Sequence, residues 1–113
     1  MSTLQQLATH TFQFARAIRD FGKTLPPTVS NVEDLKSIVN ASGKAGESLI
    51  RSQEARNQGE FHAKMKDCIE EFRSTHYYLG LIDTQGNADL DRRKEQLMKA
   101  AEELTSVFRQ ALT

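Results

Sequence analysis

Between positions 56 and 62 the chain carries a guanidinium, an amide and an imidazole: Arg56, Asn57 and His62. An imidazole can act as general acid or base near neutral pH, and a guanidinium can stabilise charge developing on a phosphate. Together Arg56 and His62 could act on a phosphate group, His62 moving a proton and Arg56 stabilising charge. Asn57 also has a structural role on offer. Followed three residues later by Glu60, just ahead of Phe61, it reads as the N-cap of a helix.

Other chemistries are excluded by spacing. Gly43-Lys44-Ala45-Gly46-Glu47-Ser48 has the composition of a phosphate loop, but no Lys-Ser or Lys-Thr pair follows its second glycine and no strand precedes it. A di-iron bundle site needs Glu-x-x-His pairs. The residues three before His10, His62 and His76 are Leu7, Gly59 and Arg73, so no metal site is expected. Cys68 is the only cysteine and can form no disulfide within the chain. No cofactor and no small-molecule substrate is indicated.

A second group of chemically able residues is cationic. Lys44, Arg51, Arg56 and Lys64, with Lys36, Lys66 and Arg73 beside them, fall on two successive helical segments and would make a phosphate-facing strip of no sequence preference. Glu47, Glu54, Glu60, Asp67, Glu70 and Glu71 share those segments, however. Interspersed signs at i,i+4 spacing are the pattern of a solvated, mutually paired face, and that is the expectation here. Arg92-Arg93-Lys94 is more compact, but Asp89, Asp91 and Glu95 surround it.

The elements that must position these groups are helical. Apolar residues recur in steps of three and four at Leu4, Leu7, Thr11, Phe14, Ile18, Phe21 and Leu25, and again from Phe61 through Met65, Cys68, Phe72, Thr75 and Leu79 to Ile82. Leu97, Ala101, Leu104, Phe108 and Ala111 repeat the pattern. Such spacing lays one apolar stripe along a helix. Gly22 and Pro26-Pro27 end the first segment, Ser30 with Glu33 reads as a capping box opening the second, and Gly86-Asn87 separates the last two. The reading is one domain, residues 1–113, folded as an all-α, up-down antiparallel four-helix bundle with helices at about 3–22, 31–56, 58–83 and 88–112. Inward positions on the second helix are Leu35, Ile38, Ser42, Ala45 and Leu49. Gly43 and Gly46 beside them predict close backbone packing or an oligomer contact. Tyr77, Tyr78, Leu81 and Ile69 lie partly outside the stripe of the third helix, which fits either a wide stripe packed on two neighbours or an interface edge.

Composition sets the class. The chain has 113 residues, 15 basic and 15 acidic side chains and no Trp. Zero net charge lacks the general basic footprint of a nucleic-acid binder. No apolar run approaches the roughly 20 residues that span a bilayer, and no signal-peptide pattern opens the chain, so no membrane partner and a cytoplasmic location are expected.

From Gly46 to Leu79 the residues resemble a bacterial four-helix-bundle family that includes proteins encoded within intervening sequences of large-subunit ribosomal RNA. Gly46 matches the family's helix-two glycine, Glu60-Phe61 its acidic-Phe pair and Tyr77-Tyr78-Leu79 its aromatic close, while Lys64, Lys66 and Glu71 fall on family-like positions. Ser48, Arg51 and Tyr78 depart from its Asn, Glu and Trp. The resemblance, with its ring assemblies, implies a homo-oligomeric ring, often a pentamer, with Tyr77, Tyr78 and Leu81 at the oligomer interface. One branch is similar to the accessory proteins of diversity-generating retroelements, which bind nucleic acid and a reverse transcriptase. Those proteins are basic, whereas this chain is neutral. Separately, Arg56-Asn57 with His62 resembles the Arg-polar-spacer-His signature of HEPN ribonucleases. The principal expectation is a non-enzymatic, self-assembling scaffold for a macromolecular partner, nucleic acid or a nucleic-acid enzyme among them; the alternative is a small HEPN-like ribonuclease using Arg56 and His62.

Overall fold

The computed structural model describes residues 3–112, and they form four helices: α1 (Leu4–Gly22), α2 (Val29–Gln53), α3 (Gln58–Leu81) and α4 (Ala88–Ala111). Short loops join consecutive helices, so neighbours run antiparallel in an up-down bundle. Helices α2 and α3 share the most extensive interface, α3 packs on α4 and α1 on α2, and the α1–α4 seam is the thinnest. The bundle is elongated, 47 × 25 × 18 Å.

The stripes meet inside it. Leu7, Phe14, Ile18 and Phe21 of α1 are buried with Ile38, Ala45 and Leu49 of α2, Met65, Cys68, Phe72 and Leu79 of α3, and Ala101, Leu104 and Phe108 of α4. Phe72 stands at the centre, edge-on to Phe14 at 6.1 Å and to Phe108 at 5.0 Å. The α1–α3 diagonal is therefore bridged by rings rather than by backbone approach. The stripes are trimmed at their ends: Leu4 and Ala111 are exposed. Ile69, placed by the spacing on the edge of its stripe, is buried.

Helix boundaries follow local chemistry that differs in places from the sequence pattern. Helix α2 starts at Val29, not 31, because the Thr28 hydroxyl caps it by accepting from the Asn31 N–H at 3.1 Å. The expected Ser30–Glu33 box is not the one formed. Asn31 itself is drawn inward, as described below. Helix α2 ends at Gln53 and not at 56, which leaves Arg56 in the turn before α3. There Asn57 caps α3 as expected, its Oδ1 accepting from the Glu60 N–H at 2.9 Å. The reciprocal carboxylate bond reaches one residue further back, with Glu60 Oε2 accepting from the Arg56 N–H at 2.8 Å. Helix α3 stops at Leu81 and not at 83, since Ile82 turns to extended backbone and buries its side chain. In the loop that follows, Gln85 and Gly86 take positive φ (54° and 76°), a turn that glycine adopts without strain. The hydroxyl of Thr84 is held by Asp91, and Asn87 caps α4.

Candidate functional site

The seven-residue constellation of the sequence resolves into a turn. Arg56 is highly exposed, and its guanidinium is engaged by Glu60 at 3.1 Å, on top of the backbone bond to the same carboxylate. Those two hydrogen bonds hold the Glu60 carboxyl below its ordinary pKa, the backbone bond from Arg56 contributing most. His62 is half-buried one turn into α3, with its ring tilted against Phe61 at 6.0 Å. The geometry thus makes Arg56 and Glu60 a clamp on the α2–α3 turn, whereas the contact of the imidazole is with Phe61.

The other expected phosphate contacts lie on the α2–α3 face and each has acidic company. Arg51 pairs with Glu47 at 2.8 Å and Lys64 with Asp67 at 3.9 Å. Lys44 acts on Glu71, whose pKa is raised by burial and partly drawn back by this lysine. A shallow depression there gathers Lys44, Glu47, Ser48, Arg51, Asp67, Glu70 and Glu71, so its charge is mixed. Exposed pairs of this kind contribute little stability, about 0–1 kcal/mol each, but they do neutralise the face. The compact cluster on α4 is also engaged within the chain. Arg92 pairs with Asp89. Arg93 lies over the Phe21 ring at 5.6 Å and donates to Thr24. Lys94 donates to the Gly80 and Ile82 carbonyls at 3.1 and 3.0 Å, capping the C-terminus of α3 with a cation.

Cys68 is fully buried and donates to the Ala45 carbonyl at 3.4 Å. Burial pushes its thiol up from 9.0 to about 12. The thiolate is the nucleophile, so this sulfur is unreactive at neutral pH. Linkage gives a direction. Between those two values the folded chain keeps a proton that the unfolded chain loses, so folding stability falls as pH rises from about 9 towards 12. The slope expected is about 1.4 kcal/mol per pH unit. Urea titrations at pH 8 and 10 check this, because Cys68→Ala should remove that part of the slope. Among the described residues no group of three His, Cys, Asp or Glu side chains is placed to hold a metal ion, and no helix is long and apolar enough to cross a membrane.

The expected oligomer residues divide. Tyr77 and Leu81, one turn apart on α3, are 63% and 50% exposed. Tyr78 is half-buried against the core and meets the Tyr77 ring edge-on at 5.3 Å. Tyr77 borders a cleft between α3 and α4 that also holds Arg73 and the His76–Glu102 pair, 2.8 Å apart.

One surface was not singled out by sequence spacing. Between α1 and α2 runs an open groove of about 690 Å³. Small residues line it (Ala8, Ala15, Ser42, Gly43 and Gly46) with Thr11 and Leu49, the exposed Phe12 and Ile50 border it, and its charged residues are Arg16, Arg19 and Glu47. Phe12 is 65% and Ile50 59% exposed. The expected tight packing at the glycines is absent. A Cβ at Gly46 would meet the Thr11 methyl at 3.7 Å, and one at Gly43 the Arg19 guanidinium at 3.6 Å, both ordinary contacts. Only Gly22 sits where a Cβ would collide, 2.7 Å from Leu35. No family model, curated protein or solved structure matches this chain.

Proposed function

We propose that this chain is a non-enzymatic, self-assembling helical scaffold that holds a macromolecular partner. The observation that supports self-assembly is the pair Tyr77 and Leu81, which share one face of α3 and stay mostly exposed although the core side of that helix is fully packed. Tyrosine with an aliphatic neighbour gives large contact area at small entropic cost, the composition of an interface core. The neutralised α2–α3 face favours a protein partner over nucleic acid, because phosphate contacts need cations that are not already held by carboxylates.

The test is the mass in solution. Sedimentation equilibrium at micromolar concentration is expected to give a stable mass several times that of the monomer. Tyr77→Asp combined with Leu81→Asp is expected to reduce it to the monomer without changing the helical circular dichroism signal. A wild-type chain that stays strictly monomeric defeats the self-assembly reading.

A further inference from the structure

The α1–α2 groove has three properties that point the same way. First, it is apolar yet uncovered, with Phe12 and Ile50 facing solvent from opposite helices. Second, its floor is lower than the fold requires. Glycine inside a helix costs about 1 kcal/mol relative to alanine. The space around Gly43 and Gly46 would admit a Cβ, so close helix packing does not account for either glycine. What their missing side chains leave is depth. Third, its cations are unmatched. On α2 Lys36 pairs with Glu33 at 3.4 Å, and Arg51 pairs at 2.8 Å with Glu47, the acidic residue of the groove's lining, which leaves that carboxylate engaged. Arg16 and Arg19 form no ion pair among the described residues, and Arg19 instead donates to its own helix at the Ala15 carbonyl.

We propose that this groove binds an amphipathic, acidic helix of a partner protein. From Ala8 to Arg19 the wall spans about 16 Å, or three helical turns, which suits side chains at i, i+3 or i+4, and i+7 of an incoming helix. Apolar residues at those positions cover Phe12, Ile50 and the small-residue floor. Acidic residues on the flank meet Arg16 and Arg19. A second copy docking the same groove by two-fold symmetry would bring those arginines towards one another, which disfavours a symmetric self-contact there. An apolar floor likewise gives nothing to a phosphate backbone. The inference rests on the scaffold reading for there being a partner, but not on self-assembly, since Tyr77 and Leu81 lie on a different helix.

The experiment uses the full chain and a fluorescein-labelled peptide of roughly 18 residues, with Leu on one helical stripe and Glu flanking it. A scrambled peptide of identical composition is the control. Fluorescence anisotropy is expected to show micromolar binding that weakens as salt rises, and none for the scrambled peptide. Arg16→Glu with Arg19→Glu is expected to weaken binding at least about tenfold. Gly46→Leu, which places a large side chain in the groove, is expected to abolish it with the helical circular dichroism signal retained. Equal binding of the scrambled peptide, no binding at millimolar protein, or full binding by both variants overturns the proposal. So does binding of a labelled RNA that needs Arg16 and Arg19 but survives Gly46→Leu, which would assign the arginines to phosphate. Loss of oligomer mass in Gly46→Leu alone would make the groove a contact between copies and overturn it too. Sedimentation of the Tyr77 and Leu81 variant reports on self-assembly separately, so the two readings fail independently.

Discussion

Phe72→Ala is expected to destabilise the fold by about 3–5 kcal/mol, a large part of the roughly 5–15 kcal/mol that holds a domain of this size together. The reason is position as much as size. Phe72 is fully buried and its ring is the middle of a three-ring series, edge-on to Phe14 of α1 and to Phe108 of α4. Truncation removes the buried ring, opens a cavity and breaks both aromatic contacts, each worth about 0.5–1.5 kcal/mol beyond buried area. It also removes the main link across the α1–α3 diagonal. Because α1 has only a thin seam with α4, that helix should loosen first. Urea denaturation followed by circular dichroism gives the total, and hydrogen exchange shows whether α1 amides lose protection before those of α2 and α3. A loss below about 1 kcal/mol would mean that the three rings are not packed as described.

Asn31→Ala is expected to cost about 3 kcal/mol, well above the value for a surface asparagine. This side chain is buried at the base of α2 and joins two loops far apart in sequence. Its amide nitrogen donates to the Pro26 carbonyl at 3.0 Å and to the Asp83 carbonyl at 2.8 Å, and its oxygen accepts from the Asp83 N–H at 2.9 Å. Removing it leaves the Asp83 N–H and carbonyl without this partner, while the Pro26 carbonyl keeps its bond from the Thr28 N–H at 2.9 Å; each group stranded in this way costs about 1–3 kcal/mol. Asn31→Asp retains the acceptor but turns a carboxylate oxygen towards two carbonyls, so at neutral pH it should be at least as harmful. Thermal melts of both variants, beside an exposed control such as Asn40→Ala, check the point. An Asn31→Ala cost no greater than that of the control would mean that the bridge between the loops contributes nothing.

The chain's helical design is legible because its signals are local. Leu7, Thr11, Phe14, Ile18 and Phe21 declare a face by spacing alone, and every one of them is buried. Asn57 caps α3 as its relation to Glu60 suggests, and Asp89 falls in the first turn of α4 where its charge favours the helix dipole. Ends are less legible. Thr28, Ser30 and Asn31 are all competent caps, and the choice of Thr28 goes with Asn31 being held by Asp83 from the opposite loop. Arg56 looked like a group free to act on a substrate. Its pairing with Glu60 is also local, but it is seen only once α2 ends at Gln53 and the turn is formed.

The sequence by itself determined the number of helices, their buried faces and the up-down bundle, since periodicity, proline and capping residues act over a few neighbouring positions. Only the tertiary structure decided that Arg93 and Lys94 are engaged by residues of α1 and α3, which loop Asn31 closes against, and that a groove lies open between α1 and α2. Those properties depend on the rotation and approach of helices whose residues are distant in the chain. Gly43 and Gly46 show the difference most plainly. Their sequence predicts closeness, whereas each would accept a Cβ at ordinary contact distance, 3.6 Å from the Arg19 guanidinium at Gly43 and 3.7 Å from the Thr11 methyl at Gly46, and the groove runs past both.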